Sequence, residues 1–203
     1  MILAAVATLA SPGHAAVPAS AGADLEGSHV VSWGSVEVVA TPALAFDVLT
    51  DYGRMAKFLP GMVASKVVSR EGRSVVVEQT ADEGMLFFSQ RVTARLAVDE
   101  LPPYRLTIRS LSGSFKELTG TYVLTRRQDS TLIEYSARFI PDFHLPRLVG
   151  KYAVQQSLER HLDGLAAEIR RRAKGEATPL QPAVPAAAPS GSGRSGSRTA
   201  PGE

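Results

Sequence analysis

Between Met62 and Ile140, apolar and polar residues alternate through six consecutive segments, and no other feature restricts the fold of this chain as much. The segments run Val63 to Arg70, Ser74 to Asp82, Phe87 to Glu100, Tyr104 to Leu111, Phe115 to Arg127 and Thr131 to Ile140. A two-residue period is the mark of half-buried strands. Their connections, such as Arg70-Glu71-Gly72-Arg73, Leu101-Pro102-Pro103 and Ser112-Gly113-Ser114, are short and rich in turn formers. Parallel neighbours need crossovers of about a dozen residues, for which there is no room, so an antiparallel meander is expected. Alternation also assigns faces: Val92, Ala94, Leu96 and Val98 oppose Arg91, Thr93 and Arg95, and Ile133, Tyr135, Ala137 and Phe139 oppose Glu134, Ser136 and Arg138. One face is wet, and the other needs a cover.

The long segment Leu145 to Arg172 supplies it. Pro146 can open a helix, Arg170, Arg171 and Arg172 can close it in favourable contact with the helix dipole, and Leu148, Tyr152, Leu158, Leu162, Leu165 and Ile169 recur at helical steps. Upstream, His29 to Ala40 reads as a first strand through Val30, Trp33, Val36, Val38 and Val39. Thr41-Pro42 then offers an N-cap hydroxyl and a proline at the first helical position, ahead of apolar Leu44, Phe46, Val48 and Leu49. A second helical turn over Tyr52 to Phe58 stops at Leu59-Pro60-Gly61. The expected architecture is α+β: a curved antiparallel sheet of about seven strands wrapped around a long C-terminal helix, with two short helices after the first strand, spanning residues 29–173.

Both ends differ from this core. Residues 1–23 begin with an apolar run, Ile2 to Ala10, too short to span a bilayer, and reach the small-x-small pattern Ala19-Ser20-Ala21. This reads as a signal peptide and predicts export to the periplasm; a disordered N-terminus on a cytoplasmic protein is the alternative, because the run lacks a leading Lys or Arg. Residues 174–203 are Pro, Ala, Gly and Ser with no apolar period, as in a disordered tail, and the glycines of its GSGRSGS stretch are linker chemistry. With 22 Lys and Arg against 20 Asp and Glu, the net charge of +2 gives no footprint for nucleic acid. The absence of Cys excludes disulfides, thiolate metal sites and a cysteine nucleophile. There is no nucleophile elbow, P-loop or HExxH, and the four His are scattered, so no cofactor and no metal is expected.

This order of elements, over about Ser32 to Arg172, is similar to the helix-grip fold of the START-like superfamily, which includes polyketide cyclases, lipid-transfer domains and coenzyme Q-binding proteins. Val48-Leu49-Thr50-Asp51-Tyr52 followed by Phe58-Leu59-Pro60 resembles the coenzyme Q-binding and cyclase/dehydrase branch, although Gly61-Met62 stands where that branch carries a Trp-Cys pair. The resemblance implies a cavity between sheet and helix. Candidate ligand contacts are then Phe46, Tyr52, Met55, Phe58 and Leu59 from the short helices, Met85 and Phe87 from a strand loop, and Tyr135, Phe139 and Phe143 from the last strand and its exit. His144, Leu148, Tyr152 and Gln155 add the entrance and first turns of the long helix. Flexible Met and flat aromatics suit such a pocket, and each of these residues can equally be plain core.

Two functions follow. One is a non-enzymatic carrier of a lipid, isoprenoid quinone or other apolar molecule. The other is a cyclase or dehydratase using Asp51, Tyr52 or Tyr135 on an aromatic substrate, which export disfavours. The run Met85 to Phe88 holds more large apolar residues than a wet-faced strand can bury, so transient contact with a membrane or partner is a third expectation. Arg91, Arg95, Arg105 and Arg109 share a face and read as a solvated, partly paired surface. Nothing in the sequence defines an oligomeric state.

Overall fold

Alternation and short turns produce the expected antiparallel ladder. The computed structural model describes residues 18–85, 88–145 and 147–175, and the side chains within them other than those of 83–89 and 147–149. The strands are β1 (Ser20–Glu26), β2 (His29–Val38), β3 (Met62–Glu71), β4 (Ser74–Met85), β5 (Phe88–Leu101), β6 (Arg105–Gly113), β7 (Phe115–Arg126) and β8 (Thr131–Pro141). They form one sheet in the order β1-β2-β8-β7-β6-β5-β4-β3, with neighbours antiparallel throughout. Two short helical elements, α1 (Pro42–Leu49) and a 3-10 turn (Tyr52–Lys57), carry the chain from β2 to the far edge at β3. Thr41 caps α1 as its sequence implies, its Oγ1 accepting the Leu44 N–H at 3.3 Å. The long helix α2 (Arg147–Ala173) crosses the concave face.

The eighth strand, β1, was not expected. Its sequence SAGADLE has no β-branched residue, so propensity gives no hint of it. Pairing with β2 makes the strand, from Ser20 opposite Ser35 to Glu26 opposite His29, through a turn in which Gly27 has φ of 64°. Small inward residues let α2 come close: Ala23 is buried, Ala19 and Ala21 pack against the core, and a Cβ on Gly34 would lie 2.8 Å from Leu162 Cδ1. The Ala19 N–H also donates to Asp163 Oδ1 of α2 at 2.9 Å. The small-x-small spacing that reads as a cleavage pattern thus has a structural use, as the inner row of an edge strand under a helix. Residues 1–17 and 176–203, which hold most of the signal segment and the tail, lie outside the described residues.

The core lies at one end of this grip. Val36 and Val38 of β2, Phe46 and Val48 of α1, Val75 and Val77 of β4, and Leu162, Leu165 and Ile169 of α2 are all buried in one cluster. Each such side chain stabilises the fold by about 1.5–3 kcal/mol. Two charged clusters hold that end together. Arg172 Nη2 donates to Asp51 Oδ2 at 2.6 Å and its Nε to Glu168 Oε1 at 2.7 Å, while Arg171 donates to both oxygens of the buried Glu168. The basic last turn of α2 therefore acts through ion pairs as well as through the helix dipole. In the second cluster Glu100, 6% exposed, accepts the Tyr52 hydroxyl at 2.9 Å and two Arg70 nitrogens at 2.8 and 3.1 Å.

Candidate apolar cavity

α2 packs on β1 and β2 along its length, from Lys151 paired with Asp24 to Arg170 bonded to the Glu37 carbonyl, which leaves space above β5, β7 and β8. The result is a cavity of about 240 Å³. Its walls follow from alternation: Val92 of β5, Tyr122 of β7, and Tyr135 and Phe139 of β8 point inward, opposite Ala153, Ser157 and His161 of α2. Phe115, Phe143 and Leu145 complete one end. There Phe115 meets Phe139 edge-on at 5.5 Å between centroids and Phe143 at 6.4 Å, the arrangement favoured by ring quadrupoles. The rings of Tyr122 and Tyr135 lie 4.6 Å apart deeper in.

Ser32, Gln90, Ser157 and Arg160 also reach this lining, and Tyr122 and His161 form a polar pair within it. Tyr122 Oη and His161 Nε2 are 3.0 Å apart, the ring tautomer deciding which donates. Burial pulls the His161 pKa down to about 4, so the imidazole is neutral at physiological pH. Burial pushes Tyr135 up to about 12, and burial followed by the neighbouring Tyr135 pushes Tyr122 well above the ordinary phenol value. Tyr122, Tyr135 and His161 are thus neutral hydrogen-bonding groups of this lining. Tyr52, driven far above its ordinary value by burial and then by Glu100, is a permanent donor in the core and not a base.

The depressed His161 value has a measurable consequence. Because the folded value lies below the ordinary 6.5, the unfolded chain takes the proton first as pH falls. Stability from neutral His161 is complete above about pH 6.5 and is lost on approach to pH 4, with Tyr122, Tyr135, Arg160 and Asp82 as its polar surroundings. Urea unfolding at pH 7.5 and pH 5 should therefore show a loss of about 2 kcal/mol that His161→Leu abolishes. Equal acid sensitivity in both proteins would refute the assignment.

Of the residues expected to contact a ligand, Tyr135, Phe139 and Phe143 line the cavity. Phe46, Tyr52, Met55 and Leu59 do not: they are buried in the core cluster, because α1 and the 3-10 turn plug the closed end against the C-terminal half of α2. Phe58 packs beside that cluster under the Arg172 guanidinium, 5.7 Å from the ring centroid. Tyr152 is off the buried stripe, 55% exposed, its hydroxyl accepting from Gln156 Nε2 at 3.0 Å. Gln155 is half-buried and turns to Glu159 Oε1 at 3.1 Å, and His144 is exposed. Phe87 and the side chains of Met85 and Leu148 lie outside the described residues. The sequence reading missed Tyr122, Ala153, Ser157 and the cavity role of His161. The helical spacing of 153, 157 and 161 was the available signal, obscured because the stripe was phased on Tyr152. On the outer face Arg91 pairs with Asp82, and Arg95 and Lys66 with Glu78, as a solvated surface does.

An eight-stranded antiparallel sheet gripping one long C-terminal helix above an apolar cavity defines a START-like, helix-grip protein. The chain belongs to the polyketide cyclase/dehydrase and lipid transport family, whose model matches residues 30–170. Similar solved structures include the Zhui aromatase/cyclase of a Streptomyces species, with 17% identity and a TM-score of 0.61 over 73% of this chain and 99% of that one. A START superfamily protein from Mycobacterium smegmatis has 15% identity and a TM-score of 0.61, covering 70% and 98% of the two chains. A STAR-related lipid transfer protein from Xanthomonas axonopodis has 14% identity and a TM-score of 0.61, covering 80% and 98%. At these identities the likeness is one of fold. No curated protein sequence matches the chain.

Proposed function

We propose that this protein binds an apolar small molecule, of lipid or isoprenoid kind, in the cavity between the sheet and α2. The observation that carries the reading is the cavity itself: about 240 Å³, with Val92, Phe115, Tyr135, Phe139, Phe143 and Leu158 as its apolar walls. Burying about 300 Å² of ligand at about 25 cal/mol per Å² contributes on the order of 7 kcal/mol before association entropy is subtracted, which suits micromolar binding. Export is part of the proposal and rests on the apolar Ile2 to Ala10 run. Cleavage after Ala21 would take two residues from β1, so a cut upstream of Ala19 suits the fold better.

A second reading, catalysis of cyclase or dehydratase type, is favoured by the Tyr122 and His161 pair facing the same space. Acid-base work by Tyr52 loses support, since its hydroxyl is committed to Glu100 within the core.

Native mass spectrometry of the protein from its own host, with organic extraction, tests the main reading. A stoichiometric apolar molecule is expected, and the intact mass reads the mature N-terminus. An empty protein that also ignores a panel of lipids and quinones would reject the carrier, and a chain still beginning at Met1 would reject export.

A further inference from the structure

A hollow of about 410 Å³ lies on the outer face of the sheet, away from α2, where β2, β8 and β7 run side by side. Its volume falls in the range of small-ligand sites. β2 lends it Trp33 and Ser35, β8 lends Glu134 and Ser136, and β7 lends Thr121 and Val123. Alternation puts them there, since the buried Val36, Ile133 and Tyr122 beside them on the same strands turn inward. Register sets them in two adjoining rows: Trp33 opposite Ser136 and Ser136 opposite Thr121, then Ser35 opposite Glu134 and Glu134 opposite Val123.

Trp33 is held in place. A Cβ on its β1 neighbour Gly22 would lie 2.6 Å from Cε2 and Cζ2 of the indole and 2.8 Å from Nε1, so the ring lies over the glycine and the backbone supports it. The side chain is still 46% exposed. An aromatic surface this large, anchored and wet, gains on being covered. The polar groups around it are uncommitted. Much of the outer face pairs internally, as Arg91 does with Asp82, Lys66 with Glu78, Arg138 with Glu26 and Ser130 with Glu37. The side chains of Ser35, Thr121, Ser136 and Glu134, by contrast, make no hydrogen bond or ion pair with any described residue. Arg105, the cation of Glu134's row, stands beyond Val123, two strands and about 10 Å away.

Together these groups select a ligand chemistry. Three hydroxyls that both donate and accept suit a partner that does the same, and a free carboxylate accepts from neighbouring hydroxyls while disfavouring an anion. A pyranose meets both demands, because its C–H face covers an indole while its rim of hydroxyls reaches the polar groups. An aliphatic ligand would leave those groups covered and unpaired. A simple cation would use the ring and the carboxylate and leave the hydroxyls without a role. We propose that this outer hollow binds a neutral oligosaccharide, with Trp33 as the stacking platform and Glu134 as the acceptor that orients the sugar's hydroxyls. The site lies on the opposite face of the sheet from the apolar cavity and does not depend on the function proposed there.

Titration of the full chain with cellobiose, maltose and N,N′-diacetylchitobiose tests it, read by fluorescence of the single tryptophan and by saturation-transfer NMR of the sugar. At least one of these should bind with a Kd of about 1 mM or less and shift the Trp33 emission. By NMR, Trp33→Ala should weaken that sugar about tenfold or more, and Glu134→Ala about fivefold. Both residues are exposed, and the Glu134 variant serves if the tryptophan variant folds poorly. Unchanged affinity in either variant overturns the site, as does the absence of saturable binding of all three sugars up to about 20 mM. Choline chloride binding more tightly than every sugar overturns the saccharide assignment in favour of a cation.

Discussion

Ala153→Trp should lower affinity for an apolar ligand about a hundredfold while the protein stays folded. Ala153 is a half-buried residue of α2 that lines the cavity, and an indole there would fill about half of the space. Losing half of an apolar burial worth about 7 kcal/mol removes about 3 kcal/mol of binding, or two orders of magnitude. The added side chain replaces void and not packed neighbours, so melting should be unchanged or slightly raised. The chain supplies its own reporter. Its single tryptophan, Trp33, is 46% exposed on the outer face, so blue-shifted emission gained by the variant would come from the cavity. Unchanged affinity together with that blue shift would show that ligands bind elsewhere.

Removing Glu100 should be the most damaging single change to stability outside the apolar core. Glu100→Ala leaves the buried Tyr52 hydroxyl without its acceptor and strips Arg70 of both its bonds. Loss of one partner from a buried charged group costs several kcal/mol, here about 3 because the Arg70 side chain is 44% exposed and can rehydrate. That corresponds to a drop in Tm of about 6 to 12 °C for a domain of this size. Arg70→Ala should cost about 2 to 3 kcal/mol as well, because it leaves the Glu100 carboxylate, 6% exposed, without its counter-charge and out of reach of bulk water. Thermal denaturation of the two variants decides the matter: losses below about 1 kcal/mol in both would mean that the cluster is a surface ion pair and not a buried anchor.

Both predictions concern residues that the sequence presents unequally. Glu100 falls, by the alternation that turns Val92, Ala94, Leu96 and Val98 inward, on the dry face of its strand, but the partner that satisfies it there, Tyr52 from forty-eight residues earlier, is not legible in the sequence. Ala153 carries no signal of its own. The aromatic residues of the short helices, by contrast, look like pocket residues and are core. Phe46 and Met55 have the right chemistry for a ligand wall, but α1 and the 3-10 turn pack against the end of α2 that is rich in Leu and Ile, and the space is filled. A binary pattern says that a residue is inside; it does not say whether another side chain or a ligand meets it there.

What the sequence determined by itself is the ladder and its cover. Period-two segments separated by turns too short for crossovers leave antiparallel neighbours as the one arrangement available, and a long stripe of Leu and Ile must cover the dry face. The capped entry to α1, the faces of β5 and β8 and the basic end of α2 follow from the same local rules, and the structure has all of them. Tertiary structure alone decided three further things. It made β1 out of residues with no strand propensity, because backbone pairing with β2 and close packing under α2 supply what side chains do not. It placed the helix over β1 and β2, which opens the cavity at one end of the grip and fills the other. And it brought Tyr122 to His161 across thirty-nine residues, since a hydrogen bond between distant elements depends on their relative position in space, which no local period encodes.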